Sequence, residues 1–201
     1  MVDYEGISIV DLAGIVSEHL QSHGVRVVLV GGLAVEIYSE NLYLTKDIDM
    51  VNVSHDPVAR IIQAMDEIGF KKHGRFYIND TTPICVEFPP APLAVGDELI
   101  QKTTIVKRGG SKIPILLAAD VVKDRLAAYF HWNDKPSLVQ ALAVMVKHSI
   151  RPAELKAFCE KEGQAGAAQT IERLYQVAKE QNVESMEELQ SIVLLDFMNQ
   201  I

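Results

Sequence analysis

The sequence predicts an α/β (α+β) chain in two parts, a sheet-bearing N-terminal part and a helical C-terminal part. Three observations predict it. Up to Leu117, short Val- and Ile-rich runs alternate with segments of helical spacing. From Ala118 onward only helical spacing remains. The 201 residues, 48% of them hydrophobic, suffice for one packed domain with an attached helical module. We therefore expect an α/β domain over 1–117 and a helical module over 118–201.

The elements follow in order. Ile9, Leu12, Ala13, Val16 and Leu20 recur at helical spacing within Ile7–His23, and Gly24 is a natural stop. Val25–Val30 reads as a buried strand, Leu33–Tyr38 as a short helix and Ile48–Val53 as a second strand. Pro57 suits the first position of a helix running to about Ile68, closed by Gly69. Phe76–Ile78 and Ile84–Phe88 read as strands joined by the turn-rich Asn79–Pro83, and Pro89-Pro90-Ala91-Pro92 stops the second. Thr103–Val106 and Ile113–Leu116 pair around Arg108-Gly109-Gly110-Ser111. Helices then cover Asp120–Phe130, Ser137–His148, Pro152–Lys161, Ala167–Gln181 and Ser185 to about Met198, with Asp120 and Ser185 as N-caps.

The stretch that carries chemistry is Val27–Val53. On an extended strand, side chains two residues apart point the same way. Asp47 and Asp49 can therefore hold one or two hard cations together, while Ile48 and Met50 face a core. At Gly31-Gly32 the backbone can approach a phosphate that a side chain would block. A helix opening just after it adds free N–H groups and a favourable dipole. A phosphate cradle beside a two-carboxylate metal site is the minimum equipment for phosphoryl or nucleotidyl transfer.

Such chemistry usually takes a third carboxylate, and Glu87 is the candidate. It sits inside the apolar run Ile84-Cys85-Val86-Glu87-Phe88, where a charge is costly unless paired or metal-bound. Two readings of it stay open: a cleft-facing acid, or the solvent face of an edge strand. Asp97 and Glu98 follow a proline-rich loop and are expected to be solvated. Lys123, near the start of the first helix after the sheet, either offsets triphosphate charge or lies on a solvated helix face. Tyr129, His131 and Trp132 either stack on a base or pack a helix junction.

In their order along the chain, Gly31-Gly32, Thr45 and Asp47-Ile48-Asp49 resemble the nucleotidyltransferase superfamily of polymerase-β-like fold. Within it the chain looks most similar to bacterial abortive-infection and type IV toxin nucleotidyltransferases. The resemblance implies a small mixed sheet flanked by helices. It implies Asp47, Asp49 and Glu87 as catalytic residues and ligands of a two-metal Mg²⁺ site. It also implies a nucleoside triphosphate such as ATP held by Gly31, Gly32, Thr45 and Lys123. Glu87 departs from the Asp common at that position. Lys123 and Asp134 match a helical Lys and a later Asp of the abortive-infection relatives, whose Arg before the Asp is replaced by Asn133. The implied acceptor is a tRNA end, a protein hydroxyl or a small molecule, and an antitoxin protein is an implied partner. The alternatives are a toxin–antitoxin component acting through its partner, and a degenerate module that binds without catalysis.

Composition excludes several classes. A net charge of −8 argues against bulk electrostatic binding to DNA. Cys85 and Cys159 lie far apart and read as reduced thiols, Cys85 in a buried strand. The six histidines read as surface or satisfied core residues, with no metal-binding pair among them. Met1-Val2-Asp3-Tyr4-Glu5 is not a secretory leader, and no apolar run reaches the roughly 18 residues of a membrane span, so a soluble cytoplasmic protein is expected. Walker-A, GxGxxG and Gly-x-Ser-x-Gly patterns are absent from the sequence, which sets aside kinase, dinucleotide and serine-hydrolase chemistry.

Overall fold

The computed structural model describes residues 2–108 and 110–199; of the expected turn at 108–111, Gly109 lies outside the described residues. The first helix, α1 (Ile9–Ser22), starts at an N-cap Ser8 whose hydroxyl accepts from the Asp11 N–H. Strand β1 (Val27–Val30) runs directly into α2 (Gly31–Tyr38), and β2 (Asp47–Asn52) follows. Helix α3 (Val58–Glu67) has Pro57 as its N-cap rather than as its first residue. Strands β3 (Lys71–His73), β4 (Phe76–Asn79) and β5 (Thr82–Glu87) come next. Two short strands, β6 (Ala94–Val95) and β7 (Glu98–Leu99), precede the hairpin β8 (Thr103–Arg108) and β9 (Ser111–Leu116). The rest is helical: α4 (Ala118–Trp132), α5 (Lys135–His148), α6 (Pro152–Glu162), α7 (Ala167–Glu180) and α8 (Met186–Met198).

The seven-stranded sheet has the order β3-β4-β5-β2-β1-β9-β8. It is mixed: β2 runs parallel to β5 and β1 parallel to β9, while β1–β2, β3–β4, β4–β5 and β8–β9 are antiparallel. Alternation sorts its side chains. Leu29, Ile48, Met50, Val86, Ile113 and Ile115 are almost wholly buried, and the strand pairings place Leu29 beside both Met50 and Ile115, and Ile48 beside Val86. Helix α1 packs on this face; at Gly14 a Cβ would stand 2.5 Å from the Ser111 Cβ, so only glycine permits the approach. Each large apolar side chain removed from water here contributes about 1.5–3 kcal/mol.

The chain forms two compact units. One comprises residues 1–34, 44–94 and 99–117 and holds the seven-stranded sheet with α1 and α3. The other comprises residues 35–43, 95–98 and 118–201. Its central element is α5, on which every residue from Ser137 to Met145 is buried. A helix buried on all sides must be surrounded, and α5 packs against α4, α7 and α8. Helix α8 opens at the N-cap expected at Ser185, which Glu188 completes into a capping box. By contrast α4 begins at Ala118, so Asp120 lies in its first turn and is not its cap. Among the described residues, no helix is long and apolar enough to cross a membrane.

Candidate active site

The parallel pairing of β2 with β5 sets Asp47 opposite Cys85, Ile48 opposite Val86 and Asp49 opposite Glu87. Directly paired residues of neighbouring strands point to the same face, about 4.8 Å apart, and the i, i+2 spacing along a strand is about 6.7 Å. Asp47, Asp49 and Glu87 therefore share one face of the sheet, turned away from the Ile48–Met50–Val86 core and α1. Asp47 is exposed; Asp49 and Glu87 are half-buried. Strand β5 lies between β4 and β2, so the edge-strand reading of Glu87 does not hold.

The glycine pair closes this face from the β1 side. Val30 is paired with Asp49, and the next residue, Gly31, has φ +65°. A Cβ at Gly31 would collide with the Asp49 carboxylate and stand 2.9 Å from its Cγ. Position 31 thus requires glycine twice over, for its backbone angle and for the carboxylate beside it. The helix begins here, two residues earlier than the apolar pattern indicates, because Gly31 alone carries the turn. Gly32 is the second helical residue and half-buried. The first turn of α2 has no acidic residue, so its free N–H groups present positive potential beside the acids. Thr45 Oγ1 accepts from the Asp47 N–H at 3.3 Å and leads the chain into β2.

Cys85 belongs to this acidic face, half-buried rather than deep in the core. Burial pushes its thiol up, and the Asp47 charge adds to the shift. Arg75, in the β3–β4 hairpin, brings its Nε to 3.4 Å from Glu87 Oε2 and lies over the Phe76 ring. With its side chain 72% exposed, Arg75 sits at the rim, where an ion pair is worth little energetically. Sequence spacing carries no signal for it: the hairpin register, Phe76 opposite Glu87, delivers Arg75 to the acid.

Lys123 lies on α4 in the helical unit. Its Nζ donates to Glu98 Oε2 at 2.8 Å and stands 4.0 Å from Asp120 Oδ1. Burial raises the Asp120 carboxyl; Lys123 opposes that shift and Glu98 adds to it. Glu98 is therefore engaged in an ion pair, contrary to the solvated loop expected, and Asp97 N–H donates to Glu162 Oε1 at 3.3 Å. Asp134 accepts from the Ser137 hydroxyl at 2.7 Å, a helix-start contact at α5. His131 meets Glu162 at 3.0 Å, and His148 meets the Tyr38 carbonyl at 2.9 Å, so both are satisfied. Trp132 is 82% exposed, while Tyr129 packs on Phe130 and Phe197.

Three carboxylates on one strand pair, with a helix N-terminus next to them, form an all-oxygen donor set of the kind hard divalent cations take. Neither a protein-family model nor a curated protein matches the sequence. Among solved structures, the chain is similar to an antigenic nucleotidyltransferase-like protein from Paracoccidioides brasiliensis. That likeness has a TM-score of 0.56 and 13% identity over 91% of this chain and 90% of the other. ANT(2")-Ia in complex with adenylyl-2"-tobramycin aligns over 85% of this chain and 98% of its own, at 12% identity and a TM-score of 0.44, too low to bear on this one. The chain has the fold of the nucleotidyltransferase-like proteins.

Proposed function

We propose that the protein transfers a nucleoside monophosphate from a nucleoside triphosphate to an acceptor hydroxyl. The observation that supports this reading best is the in-register pairing of Asp49 with Glu87, with Asp47 on the same face and Gly31 against Asp49. Asp47, Asp49 and Glu87 fit Mg²⁺ by their chemistry: the donors are all oxygen, and register puts them on one face of two paired strands. When bound, such ions supply charge neutralisation of the phosphates and a more acidic acceptor hydroxyl.

The residues of the chain do the rest. The Gly31-Gly32 backbone and the first N–H groups of α2 hold the β- and γ-phosphates. The acceptor oxygen attacks the α-phosphorus, and the bond to pyrophosphate breaks. The hydroxyl proton passes to Glu87 or to water. Thr45 fixes the turn that aims Asp47, and Arg75 orients Glu87 from the rim. The acceptor classes that suit this chemistry are a tRNA end, a protein hydroxyl or a small-molecule hydroxyl.

The test is incubation of the protein with each α-labelled nucleoside triphosphate, Mg²⁺ and a cell extract. Label should pass to one acceptor class, with pyrophosphate released in equal amount. Asp47→Asn and Asp49→Asn should each lower the rate by about 10²–10³-fold or more, since each removes a charge on which transition-state stabilisation rests. Full activity in both folded variants would reject the reading.

A further inference from the structure

On the other side of the sheet-bearing unit, α1 ends in two histidines four residues apart. This corrects the expectation that no histidine pair exists: His19 and His23 lie on one helix face, and their ring centroids are 4.6 Å apart. The last residue of α3, Glu67, meets them. Its Oε2 is 2.9 Å from His23 Nε2 and 3.5 Å from His19 Nε2. One ligand atom from each of the three residues falls within 4.8 Å of the other two.

The hydrogen bonds around the rings say what belongs between them. His23 Nδ1 is 3.0 Å from the His19 carbonyl and 3.2 Å from Ser22 Oγ. The Ser22 hydroxyl donates its proton to that same carbonyl at 2.7 Å. Both neighbours of Nδ1 are thus acceptors, so Nδ1 carries a proton, and Nε2 is the ring nitrogen left to face the Glu67 carboxylate. His19 Nε2–H donates to the Ala64 carbonyl at 2.9 Å and stands 3.5 Å from Glu67 Oε2. Between these nitrogens and the carboxylate either protons or a cation must stand, and a cation would take the place of the protons. A backbone carbonyl behind the outer nitrogen of His23 is also the usual support of a metal-bound imidazole.

We propose that His19, His23 and Glu67 form a binding site for a borderline divalent cation, Zn²⁺ foremost, which staples the C-terminal end of α1 to that of α3. Two imidazole nitrogens and one carboxylate are a zinc-type donor set, unlike the all-oxygen acids across the sheet. Ligands about 2.0–2.1 Å from a tetrahedral ion stand about 3.3 Å apart, and the two nitrogen-to-carboxylate distances bracket that value. The side chains are 22%, 30% and 43% exposed, so an ion can enter from solvent and water can complete its shell. Binding to the folded form alone raises stability by linkage.

The full chain, stripped of metal with a chelator, tests this by titration with Zn²⁺ and with Co²⁺ as its visible reporter. One equivalent should bind at this site, raise the unfolding midpoint and give the absorption bands of four-coordinate Co²⁺. Nitrogen NMR should place the ion on His23 Nε2, with Nδ1 still protonated. His23→Gln and Glu67→Gln should each weaken binding by more than about 100-fold, beyond the roughly 10- to 100-fold loss a missing supporting contact causes. Asp49→Asn should leave this equivalent intact, which separates it from any ion at the acids. Should a variant fail to fold, the ring nitrogens of the unaltered chain decide. Absence of saturable binding, an ion found elsewhere, or stability that rises only as pH falls and ignores Zn²⁺ would overturn the proposal; the last would mean that protons alone hold the cluster.

Discussion

The two faces of the sheet-bearing unit carry polar clusters built on opposite terms. On one, β2 and β5 set three carboxylates on a shared face, with the Arg75 guanidinium at the rim. On the other, α1 and α3 bring two imidazoles and one carboxylate into direct contact. The acids gather like charges on one face, which cations and phosphate arriving together would offset. The histidine cluster can balance itself, by a proton or an ion, and so holds two helix ends in place. Carboxylates assembled by register suit hard cations; imidazoles brought against a carboxylate suit a borderline cation and make a joint between two helices.

The contrast can be broken most severely at Gly31. Gly31→Val puts a branched side chain at φ +65° and against the Asp49 carboxylate. Backbone strain of about 1–3 kcal/mol and loss of transfer should follow. Unfolding curves and labelled-triphosphate turnover check it, and a stable, active variant would mean that the acids do not need their present position. The next effect is at Lys123, within the helical unit. Lys123→Ala removes the cation that Glu98 and Asp120 share and should lower stability by about 1 kcal/mol, more than Glu98→Gln, which leaves the lysine beside Asp120. Unfolding curves check it, and equal losses in both variants would mean that the Glu98 pair alone matters.

The smallest effect is the most local. The Cys85 thiol is held up by burial first and by the Asp47 charge second. Below its raised pKa, the thiolate fraction grows as that pKa falls. Saturating Mg²⁺, or Asp47→Asn, should therefore speed alkylation of Cys85 near pH 8 by about two- to threefold. The buried Cys159 thiol, pushed up to about 11, should stay unreactive. A rate at Cys85 indifferent to both changes would place the cation away from Asp47.

What the sequence discloses follows from the range of the interaction. Period-two spacing makes Asp47 and Asp49 one face without reference to the rest of the fold, and the glycine pair announces itself by composition. The long helices and the apolar strands are legible for the same reason. Strand β3, Lys71-Lys72-His73, is exposed throughout and has no alternation to read; its partner β4 makes it a strand. The two-residue β6 and β7 are too short for any period. Thr82 and Pro83 read as loop, yet β5 begins with them, and Thr82 pairs with Asn79. Glu87 was legible as an anomaly, a charge in an apolar run, but its alignment with Asp49 is a matter of register between segments about forty residues apart, which local pattern does not encode. Arg75 and Glu67 arrive by tertiary contact alone. The His19–His23 spacing, by contrast, is plain in the sequence, and the expectation of no pair overlooked it; Glu67 joins them only in the fold.

The most direct measurement is anomalous scattering from crystals soaked with Mn²⁺ and a non-hydrolysable nucleoside triphosphate. Mn²⁺ takes the oxygen ligands that Mg²⁺ takes and can be located by its own signal. The account predicts one or two manganese peaks among Asp47, Asp49 and Glu87, with the β- and γ-phosphates against the Gly31-Gly32 turn and the peaks gone in Asp49→Asn. Manganese and triphosphate bound elsewhere, or peaks unchanged in that variant, would contradict it.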